Sequence, residues 1–172
     1  MKRASPNETS IACERMTGAS RADARVLLGE FLLTDTHYRA TAGRYGDGGS
    51  EALDRALELF LARPDLGFVW LAYAHDAGRR EAAGACVVCW AISTARGSLV
   101  AKLDDVNVAQ RWQHRGVGGA MLRALAADLR AHGATRIDSS CHRDNADGWR
   151  FYERLGFRTL DEERIAWLIA AP

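Results

Sequence analysis

The feature that most constrains this 172-residue chain is a strand that leads through a short polar connection into a glycine-rich helix start. The strand is predicted over residues 99–108 and the helix over residues 117–131. Three glycines lie within four positions at the helix start: Gly116, Gly118 and Gly119. Without side chains in the way, backbone N–H groups can approach an anion at the positive end of the helix dipole. The stretch therefore predicts a phosphate-binding site.

Two familiar nucleotide motifs do not fit this stretch. The dinucleotide fingerprint needs a third glycine at its own spacing and an acidic residue on a following strand. A Walker P-loop needs a Lys-Ser or Lys-Thr pair, which does not follow here. The phosphate-binding prediction therefore has to be supported by other motifs in the chain.

Composition excludes several classes of partner. The chain has 23 basic and 22 acidic side chains, so it has no net field to hold nucleic acid or an anionic membrane. No apolar run approaches the ~20 residues that span a bilayer, and residues 1–10 lack the apolar core of a secretory signal. We expect a cytoplasmic protein with a disordered N-terminus at residues 1–9 and one domain at residues 10–172.

The cysteines and histidines do not predict a metal site. Cys86 and Cys89 have metal-ligand spacing, but they lie in a β-branched apolar run, where residues three apart point to opposite faces of a strand. The four cysteines are too scattered for a disulfide framework in a chain of this size. We expect buried free thiols and no metal.

The pattern of the chain predicts a mixed α/β domain of the α+β type. Strands are expected at residues 11–16, 67–75, 83–93, 99–108, 134–142, 157–159 and 165–169. Helices are expected from Ser20 with Asp23 as its capping partner, from Ser50 to about Ala62, over residues 117–131, and from Asn145 to Gly156. Residues 34–49 are interpreted as a loop that shapes a site. The result is a mostly antiparallel sheet of six to seven strands flanked by about four helices.

Two motifs carry a family resemblance. Gln113-x-x-Gly116-x-Gly118 resembles the acyl-CoA signature of the GNAT acetyltransferase superfamily. About thirty residues later, the segment from Asn145 to Phe157 is similar to that family's Asn-x-x-x-x-x-Phe-Tyr-x-x-x-Gly-Phe segment. Their order and spacing agree with the family, and together they cover roughly the C-terminal half. The resemblance implies a single-domain acyl-CoA N-acyltransferase fold.

The resemblance also implies acetyl-CoA as co-substrate. In this family two strands splay apart and the pantetheine arm pairs with the exposed strand, here through the backbone of residues 106–108. The residues implied in binding are Val106, Asn107, Val108, Gln113, His114, Arg115, Gly116, Val117, Gly118, Gly119, Ala120, Asn145 and Tyr152. Asn145 is expected to hold the other side of the pantetheine arm.

Acyl transfer to an amine needs a base, an oxyanion donor and an acid. Asp104 and Asp105 can attract a cationic amine and accept its proton, although alternation lets only one of them face the site unless a bulge turns both. A solvated strand edge is the alternative interpretation of this pair. The resemblance implies a backbone N–H near Val106 or Val108 as the oxyanion donor and Tyr152 as the acid, in a direct attack within a ternary complex.

These residues predict an N-acetyltransferase that acts on a primary amine. The run from Leu103 to Val108 is similar to the Leu-Glu-Asp-x-x-Val of diamine and polyamine acetyltransferases, but Asp104 is one methylene shorter than the glutamate of that pattern. Small cationic amines such as diamines, aminoglycosides and amino acids stay open as acceptors, as do protein N-termini. The alternatives are a non-catalytic CoA-binding or regulatory module and a homo-oligomeric interaction domain, and homodimerisation is left open.

Overall fold

The computed structural model describes residues 9–45 and 48–160. Five strands and five α-helices lie within them. They are β1 (Ser10–Arg15), α1 (Arg21–Thr34), α2 (Thr36–Tyr45), α3 (Gly49–Ala62), β2 (Gly67–Asp76), β3 (Arg79–Ser93), β4 (Ser98–Val108), α4 (Val117–Ala131), β5 (Ala134–Ser139) and α5 (Ala146–Arg154), with a 3-10 turn at Gln110–Trp112. None of the described helices combines the length and the apolar character needed to cross a bilayer.

The five strands form one sheet in the order β1-β2-β3-β4-β5. The first four pair antiparallel, and β5 runs parallel to β4. The prediction of a mixed, mostly antiparallel α/β fold is confirmed, but the described part of the chain has fewer strands than the six to seven predicted. Residues 157–159 are not a strand, and residues 165–169 lie outside the described residues, as do residues 1–8.

The predicted loop over residues 34–49 is wrong, because the chain forms α2 there. Asp35 explains the helix: its Oδ1 accepts the N–H of Tyr38 at 2.6 Å, which caps the first turn. The Tyr38 ring also packs on Phe31 of α1, with centroids 5.6 Å apart. A local cap and one aromatic contact therefore outweigh the lack of apolar periodicity.

The helix ends are in part as predicted. Ser20 does not cap α1 through its side chain; its hydroxyl accepts the Thr17 N–H at 2.9 Å instead. At the end of α5, Gly156 is left-handed with φ of +96°. The N–H of Phe157 donates to the Tyr152 carbonyl at 3.1 Å, which completes the predicted Schellman-type end. This bond belongs to the helix end, so the backbone of Phe157 does not start a sixth strand.

The sheet has an apolar core on each face. On one face α4 buries Met121 and Leu125 against the sheet, together with Leu103 of β4. On the other face α1 and α3 bury Leu27 and Leu57 against β2. The C-terminal end of β4 is thereby held between helices on both sides.

Candidate active site

The two parallel strands, β4 and β5, separate after Leu103. The last β4–β5 pair is Leu103 with Ser139, where β5 ends and β4 continues to Val108. The Ser139 hydroxyl donates to the Leu103 carbonyl at 3.1 Å and closes the ladder at this point. Among the described residues, no strand pairs with the outer edge of residues 104–108. β4 therefore presents the open strand edge that the resemblance implies.

A bulge lies in β4 where the strands separate. Between the pairs Val87–Asp104 and Ala85–Asn107, β4 has one residue more than β3. Asp105 lies in this bulge with a left-handed φ of +50°. Both aspartates are among the residues that line the adjacent cleft. The bulge that the prediction for this pair required is therefore present.

The cleft beside the open edge has a volume of about 1630 Å³. It brings together most of the predicted site residues: Asp104, Asp105, Val106, Asn107, Val108, Gln113, His114, Gly116, Val117, Gly118, Gly119, Asn145 and Tyr152. Two predicted binding residues, Arg115 and Ala120, are not among its lining residues. The Arg115 guanidinium lies instead 5.4 Å from the ring centroid of Trp112. The side chain of Arg115, implied in donor binding, thus lies over a tryptophan and does not line the cleft.

The start of α4 has no side-chain cap. Gly116 is its N-cap residue, with a left-handed φ of +81°. The first bond that returns along the helix runs from the Ala120 N–H to the Gly116 carbonyl at 3.0 Å. The amides of residues 117–119 precede that bond and have no intrahelical acceptor. They line the cleft and can bind an anion.

Gly118 has a different function from Gly116. A Cβ on Gly118 would lie 3.2 Å from the Phe151 ring and 3.4 Å from Cγ2 of Val108. This glycine lets the helix start pack closely against α5 and the end of β4. The three glycines are therefore not equivalent, and only Gly116 needs glycine for its backbone conformation.

Two predicted site residues use their side chains to hold the scaffold. Nδ2 of Asn107 donates to the Leu27 carbonyl at 2.8 Å, which ties β4 to α1. Nε2 of Gln113 donates to the Val108 carbonyl at 3.0 Å and fixes the connection at the strand end. One carbonyl of the predicted pairing edge is thus already occupied.

Asn145 caps α5. Its Oδ1 accepts the Gly148 N–H at 2.8 Å, and the residue also lines the cleft. The side-chain oxygen is therefore engaged, whereas the amide N–H₂ group retains donors for a ligand. The two helix starts that face the cleft differ: α5 is capped by its own side chain, and α4 is not.

Tyr152 lies where β4 and β5 separate. Its ring packs against Phe151 and Phe157, with centroids 5.3 and 5.1 Å away. Burial raises the pKa of the phenol to about 12, against the opposing effect of a hydrogen bond with the Ser139 hydroxyl. The phenol therefore stays protonated at neutral pH, and it lies beside the residue that ends β5.

Motif reasoning missed three groups at the site. The Lys102 ammonium is 3.0 Å from Oδ2 of Asp104, and the spacing of two along a strand is the signal that could have found it. Arg123 lines the cleft from α4, one turn beyond the glycines. The rings of His37 and His142 stack with centroids 5.0 Å apart and also line it. Residues 34–38 therefore do shape the site, although not as a loop.

The cysteines offer no activated thiolate. All four are free thiols. Burial raises the pKa of each, including Cys141, which lines the cleft. Within the described residues, no group of three or more His, Cys, Asp or Glu side chains is arranged to hold a metal ion.

The split sheet and the uncapped glycine helix start define the acyl-CoA N-acyltransferase fold. A family model described as "Acetyltransferase (GNAT) family" matches residues 34–157, and the chain belongs to that family. No curated protein has significant sequence similarity to the chain.

Solved structures share the fold at low identity. A glucosamine-6-phosphate N-acetyltransferase from Arabidopsis thaliana superposes with a TM-score of 0.66 at 16% identity, over 93% of this chain and 99% of that one. An aminoglycoside N-acetyltransferase in complex with CoA has a TM-score of 0.70 at 19% identity, over 96% and 98%. An aminoglycoside acetyltransferase from an uncultured soil metagenomic sample has a TM-score of 0.65 at 20% identity, over 95% and 99%. These similarities show the fold alone.

Proposed function

We propose that the protein transfers an acetyl group from acetyl-CoA to the primary amine of a small cationic acceptor. The observation that carries the proposal is the open edge of β4 at residues 104–108, which lies in one cleft with the α4 start and Tyr152. CoA has a diphosphate, an extended arm with two amides, and a terminal thiol. The cleft offers a matching group for each: anion-binding amides, a strand edge beside which no further strand of the described residues lies, and a partly buried acid.

The chain's own groups fit this donor. The amides of residues 117–119 would bind the diphosphate, and the backbone of residues 106–108 would pair with the amide arm. The side-chain N–H₂ of Asn145 would donate from the opposite wall. When bound, acetyl-CoA supplies the activated acyl group as a thioester.

The acceptor amine must lose a proton before it attacks. An alkyl amine with a pKa near 10.4 is only about one part in a thousand neutral at pH 7. Asp104 and Asp105 are the candidates to attract the cation and accept its proton. Because Lys102 already pairs with Asp104, that carboxylate attracts a cationic acceptor less strongly than an unpaired one would. The two aspartates therefore have to be tested separately.

Tyr152 would stabilise the departing thiolate, and a backbone N–H near Val106 or Val108 would stabilise the oxyanion. The phenol pKa of about 12 lies above that of a thiol, about 8.5, so complete proton transfer to the sulfur is uphill. The main contribution of Tyr152 is therefore a hydrogen bond to the sulfur as its charge develops. The amine attacks directly, because no cysteine in the cleft is activated to carry the acyl group.

The test is free-thiol release from acetyl-CoA with a diamine, an aminoglycoside and an amino acid. We expect turnover with at least one cationic amine, and a loss of about 10²–10⁴-fold in kcat/KM when the aspartate that serves as base, Asp104 or Asp105, is changed to asparagine. CoA binding without thiol release from any amine would favour the non-catalytic CoA-binding or regulatory module. If millimolar CoA fails to raise the Tm, the proposal is wrong.

A further inference from the structure

Arg123 occupies space that Gly119 leaves empty. A Cβ on Gly119 would lie 3.3 Å from both terminal nitrogens of the Arg123 guanidinium. The arginine is exposed and lines the cleft. Because helix side chains tilt toward the N-terminus, a residue one turn inside α4 can bring its charge to the level of the first turn. A side chain at position 119 would crowd the guanidinium, which would have to shift by a few tenths of an ångström.

This position is electrostatically unfavourable for a cation alone. The positive end of the helix dipole is at the first turn, where acidic groups are favoured and basic groups are not. Arg123 forms no ion pair with any residue that the structure describes. On the same helix, Arg130 lies in the last turn, where the dipole favours a cation. The charge of Arg123 is thus placed beside another positive potential, and no carboxylate of the described residues forms an ion pair with it.

The other arginines of the cleft are placed differently. Arg150 pairs with Asp147, three residues earlier on α5. Arg154 lies in the last turn of α5, at the negative end of that helix. Only Arg123, among the arginines that line the described cleft, combines a helix start with the lack of a carboxylate partner.

We propose that Arg123 binds the diphosphate of the acyl donor together with the amides of residues 117–119. A guanidinium can donate two parallel hydrogen bonds to a phosphate, and an anion at this point would offset the repulsion between the arginine and the helix start. Gly119 then serves to admit this side chain as well as to expose its own amide. The inference rests on the proposed use of acetyl-CoA and names a specific side chain that selects this donor.

Truncated donors test the inference. We would measure kcat/KM for acetyl-CoA, for acetyl-3′-dephospho-CoA and for acetyl-pantetheine, which lacks the diphosphate, and the Kd of CoA directly. Arg123→Gln should lower kcat/KM for the first two donors equally, by about 10- to 100-fold, because a charge-assisted contact is lost. It should leave acetyl-pantetheine unchanged. Arg123→Lys should give an intermediate loss with the same donor pattern.

Arg130→Gln is the matched control, since it removes the same charge from the same helix outside the cleft. It should leave all three donors unchanged. A loss confined to acetyl-CoA would place Arg123 at the 3′-phosphate and overturn the inference. So would an equal loss with all three donors, or no loss while the wild-type protein still binds CoA. If the wild-type protein binds no CoA, the proposed function fails and the inference fails with it.

Discussion

The two halves of β4 differ in strand pairing and in burial. Residues 99–103 pair with β3 on one side and β5 on the other, and Val100, Ala101 and Leu103 are buried. Within the part of the chain that the structure describes, residues 104–108 pair only with β3; they contain a bulge and are all partly buried. Six residues after β4 begins, residues that are buried in the core are followed by partly buried residues that line the cleft.

The difference shows that backbone hydrogen bonds on both sides stabilise the sheet at residues 99–103, whereas residues 104–108 have a neighbouring strand on one side only among the described residues. An exposed strand edge with unpaired N–H and C=O groups invites pairing with another chain. Here the open edge lies in a cleft that residues of α1 and α5 also line, so neighbouring helices cover it in part. The paired half should therefore govern folding, and the open half should govern catalysis.

The largest expected effect is on stability, from Leu103→Ala in the paired half. Leu103 is 1% exposed, so its truncation should lower the free energy of unfolding by about 2–5 kcal/mol. Val106→Ala in the open half is the matched control and should lower it by about 1 kcal/mol, because Val106 is only partly buried. Urea denaturation measures both. Equal losses would mean that the two halves contribute alike to the core.

Tyr152→Phe should lower kcat by about 10²–10³-fold, as expected for the loss of one preorganised donor. Tyr73→Phe is the matched control, because burial likewise raises the pKa of Tyr73 to about 12. The Tyr73 hydroxyl donates to Asp23 at 2.8 Å, away from the open edge of β4, so its loss should leave kcat unchanged. If both variants lose kcat to the same extent, Tyr152 has no specific role in the chemistry.

The raised pKa values also predict a pH dependence. A donor phenol must be protonated, and the pKa of the Tyr152 phenol is raised to about 12. Between pH 8 and about 10.5, where an ordinary tyrosine with a pKa of about 10 would ionise, kcat should therefore not fall. Both phenols bind their protons more tightly in the folded state. They should therefore favour folding below about pH 10, and that contribution should be lost as the pH rises toward about 12. Urea denaturation above pH 10 should show a shallower loss of stability in either Phe variant.

The contact between the open half and the α4 start can be broken at Gly118. Gly118→Val would push side-chain atoms into Phe151 and Val108, and should lower the free energy of unfolding by about 1–3 kcal/mol and weaken CoA binding. Gly116→Ala meets no atom within 4 Å, so its cost of about 1–2 kcal/mol should come from backbone strain alone. CoA titration separates the two variants. Equal CoA affinity in both would mean that packing at Gly118 does not position the amides.

Local signals predicted the elements around the site well. The predicted bounds of α4, residues 117–131, match the structure because its glycine start, apolar face and stop all lie within the helix or next to it. The open edge was implied by resemblance alone, since no pattern in one strand reveals where its neighbour ends. The sequence could state a bulge near Asp105 only as the condition for both aspartates to face the site, because the bulge depends on the register with β3.

The wrong predictions also concern features that depend on contacts between elements, which the local sequence does not show. α2 was missed because its stability depends on the Asp35 cap and on a ring contact with Phe31, not on an apolar stripe. The motif implied Arg115 in donor binding, with a solvated surface position as the alternative, and its side chain lies over Trp112. Arg123 lies beyond the motif and reaches the helix start only because of the helical turn. Side-chain direction, which sequence spacing gives only in part, separates these two arginines.

The smallest effect separates the structural role of Asn145 from a role in binding; this residue caps α5 and also lines the cleft. Asn145→Ala removes the cap on the Gly148 N–H and should lower the free energy of unfolding by about 1 kcal/mol. Asn145→Asp keeps an oxygen that caps equally well but loses the N–H₂ donor. It should therefore keep the Tm and raise the KM for acetyl-CoA, whereas the alanine variant changes both. If the aspartate variant keeps both values, Asn145 serves the helix alone, and the pantetheine arm is held from the β4 side only.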